Sequence, residues 1–197
     1  NNFLKKFNCL NSELIIDSTL EDVQIALLEE KRLVEFNSEK RDNNFSVGDI
    51  YLGRIRKIMP GLNAAFVDVG YEKDAFLHYL DLGPKFLSLM NYMKNVTSGK
   101  QADALLNNFH IEPDLDKGGK ISTPLSANMW LPVQIAKEPI STKGPRITCD
   151  ISLAGRYVVM VPFSNVVSIS QKIKSSEERN RLKRLVSSIK PRNFGLI

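Results

Sequence analysis

Two phenylalanines, Phe66 and Phe76, are the residues of this sequence best placed to hold a ligand. In the run Asn63–Val69, Phe66 shares a face with Ala64 and Asp68, and Ala65, Val67 and Val69 line the other. In Asp74–Tyr79, Phe76 shares a face with Asp74 and His78, opposite Ala75, Leu77 and Tyr79. Period-two alternation therefore puts each ring on the polar side of a strand. An aromatic ring on the wet face of a β-barrel is a platform on which an unpaired base can stack, worth ~1–3 kcal/mol per base with little sequence preference. The plainer alternative is that the rings close the end of a core, the usual place of Phe. Basic residues lie near both rings in sequence. Arg54 and Arg56 share a strand face with Lys57 beside them, and Lys137 and Lys143 flank the turn Pro139–Gly144. Such cations either form a groove that tracks a phosphate backbone or are solvated strand ends.

Other chemistries fit poorly. Asp114–Ile121 begins like a calcium loop, but Gly118 stands at the fifth position and Leu125 at the twelfth, where a bidentate Glu is required. His78 and His110 have no Cys or His partner at ligand spacing, so no metal site is expected. Asp17 and Asp68 read as a turn acid and a barrel-surface acid, not as a carboxylate pair. Cys9 and Cys149 are the only cysteines, which excludes a disulfide framework or a four-cysteine zinc site within one chain. Neither a Ser-His-Asp set nor a Gly-rich phosphate loop is present, so no catalytic residue is assigned.

The elements that must position these residues are mostly strands. Glu13–Asp17 reads as a strand, and Val23–Leu28 with Leu33–Asn37 as a hairpin turning at Glu29–Arg32. Val47–Met59 is a long strand whose Gly53 suggests a bulge or bend. Pro60-Gly61 turns into Asn63–Val69, and Gly70–Lys73 connects to Asp74–Tyr79. The pattern dissolves from Asp81 to Asn128, apart from a helix near Phe86–Lys94, and strands return at Trp130–Lys137 and Arg146–Ile151. Five strands with a long insert between the third and fourth predict an OB-fold, a small five-stranded barrel. Arg156–Pro162 and Val167–Ile173 read as further strands. Ser175–Ile189 reads as a helix opened by the Ser175/Glu178 capping box and closed by Pro191. The fold class is mainly β with α+β flanks. Residues 47–149 form the barrel with its insert at 81–128, set into a discontinuous domain made of 1–46 and 150–197.

At 197 residues and 43% hydrophobic, the chain is long and apolar enough to bury a core, and no apolar run reaches the ~20 residues of a membrane-spanning helix. With no signal-peptide pattern, the cytoplasm is expected. The net charge of +5 is unevenly spread. Residues 1–46 carry six Lys/Arg against nine Asp/Glu, and residues 151–197 carry nine against two. The basic end comprises Lys172, Lys174, Arg179, Arg181, Lys183, Arg184, Lys190 and Arg192, either a surface that attracts phosphates or a solvated helix face. A start at Asn1 and an apolar finish, Phe194–Ile197, lead us to expect part of a longer protein.

Val47–Ile55, Met59–Gly70 and Ala75–Leu77, followed by Val133–Glu138, Thr142–Gly144, Ile151–Tyr157 and Ile169–Ile173, resemble the N-terminal region of the RNase E/RNase G endoribonucleases. The resemblance covers roughly Glu13 to Ile197. It implies an OB domain of the ribosomal S1 type inserted in an RNase H-like half domain. It also implies single-stranded RNA held by Phe66, Phe76 and Lys143, with Lys137 nearby, and Arg54 and Arg56 extend the candidate surface. The strand Ser152–Gly155 would help line a pocket for an RNA 5′-monophosphate through Gly155 and Val159. In the family, a 5′-sensing Arg-Thr pair, Mg²⁺-binding aspartates and a Cys-Pro-x-Cys zinc link between subunits all follow the segment that ends here. The resemblance thus implies a parent Mg²⁺-dependent endoribonuclease, a homo-oligomer in which metal-activated water attacks a phosphodiester. This chain would be its RNA-binding, non-catalytic portion in RNA processing and decay. A stand-alone OB-fold RNA-binding module without catalysis explains the Phe pair and the basic end equally well. The insert is longer than in the best-known members, and its role is open.

Overall fold

The structure, a computed structural model, describes residues 11–40, 45–101 and 104–197, and these divide into two compact units. Cys9 and the parts of 1–46 and 81–128 at residues 1–10, 41–44 and 102–103 lie outside the described residues. The first unit is an antiparallel meander of β1 (Ser12–Ser18), β2 (Asp22–Glu29) and β3 (Arg32–Lys40). Glu30 and Lys31, with φ of 48° and 63°, make the two-residue turn between β2 and β3 that matches strand twist.

The second unit begins at Phe45. Its centre is a closed barrel of β4 (Ile50–Met59), β5 (Ala64–Asp68), β6 (Ala75–His78), β7 (Trp130–Lys137) and β8 (Arg146–Thr148). The order around the barrel is β4-β5-β6-β8-β7, with β7 returning to β4 and only the β6–β8 pairing parallel. This is the five-stranded OB barrel. Ile55, Ala65, Val67, Ala75, Leu77, Leu131, Val133 and Ile147 are fully buried inside it. Each alternates with an outward residue, as a half-buried strand requires.

Gly53 serves a different purpose from the expected bulge. A Cβ there would lie 2.6 Å from Val67 Cγ1, so the glycine permits close packing across the barrel. The irregularity of β4 falls between Ile55 and Lys57 instead. A short 3-10 turn, Pro60–Leu62, joins β4 to β5.

The insert completes the core. Helix α1 (Phe86–Thr97) and the irregular chain after it contribute Phe86, Leu89, Leu106, Phe109, Ile121 and Leu125 to the same buried cluster as the barrel. Asn63, at φ 48°, tethers the insert: its Nδ2 donates to Gly119 O at 3.1 Å and its Oδ1 accepts from Ile121 N–H at 2.6 Å. The Tyr79 hydroxyl donates to Asp116 O.

Beyond the barrel, β9 (Leu153–Ala154), β10 (Val159–Pro162) and β11 (Phe194–Leu196) form a second antiparallel sheet in the order β11-β10-β9. The expected strand Arg156–Pro162 is shortened because residues 155–158 turn, with Gly155 N–H donating to Val158 O at 2.8 Å. Val167–Ile173 is not a strand. It makes one isolated bridge, Val167 to Leu196, on the edge of β11 away from β10, where Ser168 N–H donates to Leu196 O and Leu196 N–H to Val166 O, each at 2.9 Å. Helix α2 (Ser176–Ile189) is capped by Ser175, whose Oγ accepts from Glu178 N–H at 3.3 Å. The Glu178 carboxylate turns to Arg181 at 2.7 Å. Several cations of this basic end are committed locally. Arg179 donates to Ser170 O at 2.7 Å and Lys190 to Phe194 O at 2.8 Å. This segment is pinned to the insert by Asn193, which donates to Leu106 O at 2.7 Å, and by ring contacts among Tyr92, Phe109 and Phe163.

Candidate nucleic-acid interface

The β5–β6 register sets Phe66 directly opposite Phe76, within the series Ala64↔His78, Ala65↔Leu77, Phe66↔Phe76 and Val67↔Ala75. Their ring centroids are 6.0 Å apart at 69°, an edge-to-face pair. Both rings are half-buried on the outer surface, while Ala65, Val67, Ala75 and Leu77 between them are fully buried. Neither ring belongs to the core cluster.

Lys143 reaches this pair through a tight turn. Ile140 and Lys143 exchange backbone hydrogen bonds, Lys143 N–H to Ile140 O at 3.0 Å and Ile140 N–H to Lys143 O at 3.3 Å, with Ser141 at φ 54° between them. The next residue must be glycine. A Cβ on Gly144 would lie 2.2 Å from Asp74 O and 2.9 Å from Lys73 O. Backbone thus presses on backbone, and Phe76 N–H donates to Pro145 O at 2.8 Å. Phe66, Phe76, Lys143, Lys73, Asp74, Thr142 and Arg146 line one open cleft of about 740 Å³.

Arg146 was missed by reading the sequence. Its alternation with Ile147 marks it as outward, but its place opposite Phe76 depends on the non-local parallel pairing of β6 with β8. Lys137 faces Arg146 across β7–β8. Arg54 and Arg56 are not among the residues lining the cleft. Arg54 donates to Asn128 Oδ1 at 2.9 Å and sits 5.9 Å from the Trp130 ring centroid, a cation–π distance. Arg56 is paired with Asp68 at 2.6 Å. A hydrogen bond from Gly70 N–H, and then that arginine, hold the Asp68 carboxyl below the usual carboxylate range.

Gly155 is exposed at the hairpin turn joining β9 to β10. Val159 is half-buried in the central strand, and its N–H and carbonyl both pair with Ile197. His78 accepts from Leu80 N–H at 3.2 Å and caps a 3-10 turn. Asp114, in the calcium-like run, pairs with Lys85. Among the described residues no group of three or more His, Cys, Asp or Glu side chains is placed to hold a metal ion. Among those residues no helix is long and apolar enough to cross a membrane.

Fold and cleft together define an OB barrel with an aromatic pair and a turn lysine on its outer face. The chain belongs to the ribonuclease E/G family: ribonucleases G and E align with most of its length, and residues 152–197 match the model of that family. Over 174 residues it is 37% identical to the ribonuclease G of Haemophilus influenzae, covering 88% of this chain and 32% of that protein. It is 35% identical to the ribonuclease E of a Nostoc species over 182 residues, 88% of this chain and 23% of that protein. A ribonuclease E/G-like protein of Porphyra purpurea is 39% identical over 155 residues, 78% of this chain and 25% of the relative. The chain therefore spans about a third or less of the length of these relatives.

Proposed function

We propose that this chain is the RNA-binding portion of a larger endoribonuclease that cuts single-stranded RNA in RNA processing and decay in the cytoplasm. The observation that carries the reading is the half-buried, outward-facing Phe66–Phe76 pair beside Lys143. Two rings outside the core offer π-faces to unpaired bases, and a flexible ammonium on a turn follows the phosphates between them. Base pairing hides those faces, so a single strand is the substrate. Relatives that align with 88% of this chain, at 37% and 35% identity, are named ribonuclease G and ribonuclease E. In this proposal cleavage, Mg²⁺, the zinc link and homo-oligomer assembly belong to portions of the protein outside residues 1–197. Gly155 and Val159 border the 5′-phosphate pocket in the same proposal.

The test is to incubate the purified chain with a single-stranded oligoribonucleotide in Mg²⁺ and to measure both binding and chain length. Binding without cleavage is expected, with the same sequence as a duplex bound more weakly. Cleavage that disappears on mutating an acid within residues 1–197 would place the catalytic site inside this chain. Failure to bind would remove the RNA reading altogether.

A further inference from the structure

The outer surface of the barrel carries a transverse row that runs beyond the two phenylalanines. Register places Lys57 opposite Phe66, Phe66 opposite Phe76, Phe76 opposite Arg146, and Arg146 opposite Lys137. The row crosses every strand of the barrel. With neighbouring strands ~4.8 Å apart it follows ~19 Å of the circumference of the closed barrel. Two aromatics lie at its centre next to Arg146, and a lysine stands at each end.

Arg146 differs from the lysines in being held. Its Nε donates to Asp81 Oδ2 at 2.9 Å and its Nη2 to Asp81 Oδ1 at 3.0 Å, a two-pronged contact that fixes the plane of the guanidinium. Asp81 is fixed in turn, because its carbonyl accepts from Thr148 Oγ1 at 2.7 Å and from Cys149 N–H at 2.8 Å. The guanidinium and the carboxylate form an ion pair with a closest contact of 2.9 Å. What remains is a third nitrogen and the plane itself, and Arg146 lines the same cleft as Phe66 and Phe76.

We propose that Arg146 is the third stacking surface of this cleft: a guanidinium plane clamped by Asp81 that receives the base next to the one on Phe76, with the strand running across the barrel strands from Lys57 toward Lys137. A planar guanidinium stacks on π-faces as an aromatic ring does. Because Asp81 holds the plane before RNA arrives, little side-chain freedom is lost on binding. The inference rests on the RNA-binding reading of the cleft.

The experiment compares Arg146→Ala, Arg146→Lys and Phe66→Ala with the parent chain. It uses an oligouridylate of ten nucleotides, measures affinity across a salt series, and records a melting curve for each protein. Loss of one stacked base corresponds to a weakening of roughly 5- to 150-fold. We expect that loss for Arg146→Ala, with the salt slope unchanged and no recovery in Arg146→Lys. Arg146→Lys keeps a cation beside Asp81 and is the variant to read if the alanine protein melts early. Unchanged affinity in both Arg146 variants, with Phe66→Ala weakened, would overturn this inference and leave the cleft reading intact. A salt slope reduced by ~0.7 in Arg146→Ala and restored in Arg146→Lys would make the residue a phosphate contact and overturn stacking. No loss in Phe66→Ala would overturn the cleft reading itself.

Discussion

Gly144→Ala should damage both the fold and the RNA affinity of this barrel, and the structure sets the size of the effect. The added Cβ would sit 2.2 Å from the Asp74 carbonyl oxygen and 2.9 Å from that of Lys73, whereas ordinary contact begins near 3.4 Å. The turn at 140–143 must therefore retreat by about 1 Å from the β5–β6 connection. Both neighbours are backbone, so neither can rotate away. Forcing an extra methyl into such a site costs ~1–3 kcal/mol. At ~2–4 °C per kcal/mol for a domain of this size, the melting temperature should fall by roughly 2–12 °C. The displaced turn carries Lys143 away from the two rings. The slope of log affinity against log salt should then flatten toward that of Lys143→Ala, a change of ~0.7 for one phosphate contact on a single strand. Thermal melting and a salt titration of oligoribonucleotide binding read the two effects. Gly61→Ala is the control, since a Cβ there meets nothing within 4 Å. A Gly144→Ala protein that melts with the parent and keeps its salt slope would refute the argument that backbone proximity positions Lys143.

Two further perturbations probe the frame around the cleft. Asn63→Ala should lower stability in urea by ~1–3 kcal/mol, because Gly119 O and Ile121 N–H lose their partner and alanine resists φ 48°; Asn63→Gly, free of that strain, should lose less. Asp68 titrates below its ordinary value in the folded barrel, so its stabilisation is complete above the unfolded carboxyl pKa near 3.8 and is lost as pH falls through the lower folded value. Acid melting curves of Asp68→Asn should therefore show a smaller drop in stability below about pH 4 than the parent, and identical drops would mean that the Gly70 and Arg56 contacts contribute nothing.

Local pattern carried most of the fold. Alternation located β1 to β8, with β7 at the residues expected, and put Phe66 and Phe76 outside because one strand face had to be apolar. What escaped was non-local. Phe194–Leu196 looked like an apolar end and is an edge strand on β10, and Val167–Ile173, expected to be a strand, makes a single isolated bridge to it. The insert lacks periodicity, yet its scattered Leu106, Phe109, Ile121 and Leu125 are core, held by side-chain bonds from Asn63 and Asn193 that no spacing rule reveals. At the cleft, Phe66, Phe76 and Lys143 were legible from type and spacing. Arg146 was not, because only the parallel β6–β8 contact brings it there. Arg54 and Arg56 looked equally available in sequence, and they are engaged by Trp130, Asn128 and Asp68.

The central claim is that Phe66 and Phe76 are a stacking platform and not core. It is tested most directly by measuring single-stranded RNA affinity and melting temperature together for Phe66→Ala and Phe76→Ala. Each substitution should remove ~1–3 kcal/mol of binding, about 5- to 150-fold in Kd, while the melting temperature stays close to that of the parent. Unaltered RNA affinity together with the ~3–5 kcal/mol loss of stability that follows truncation of a core phenylalanine would contradict it.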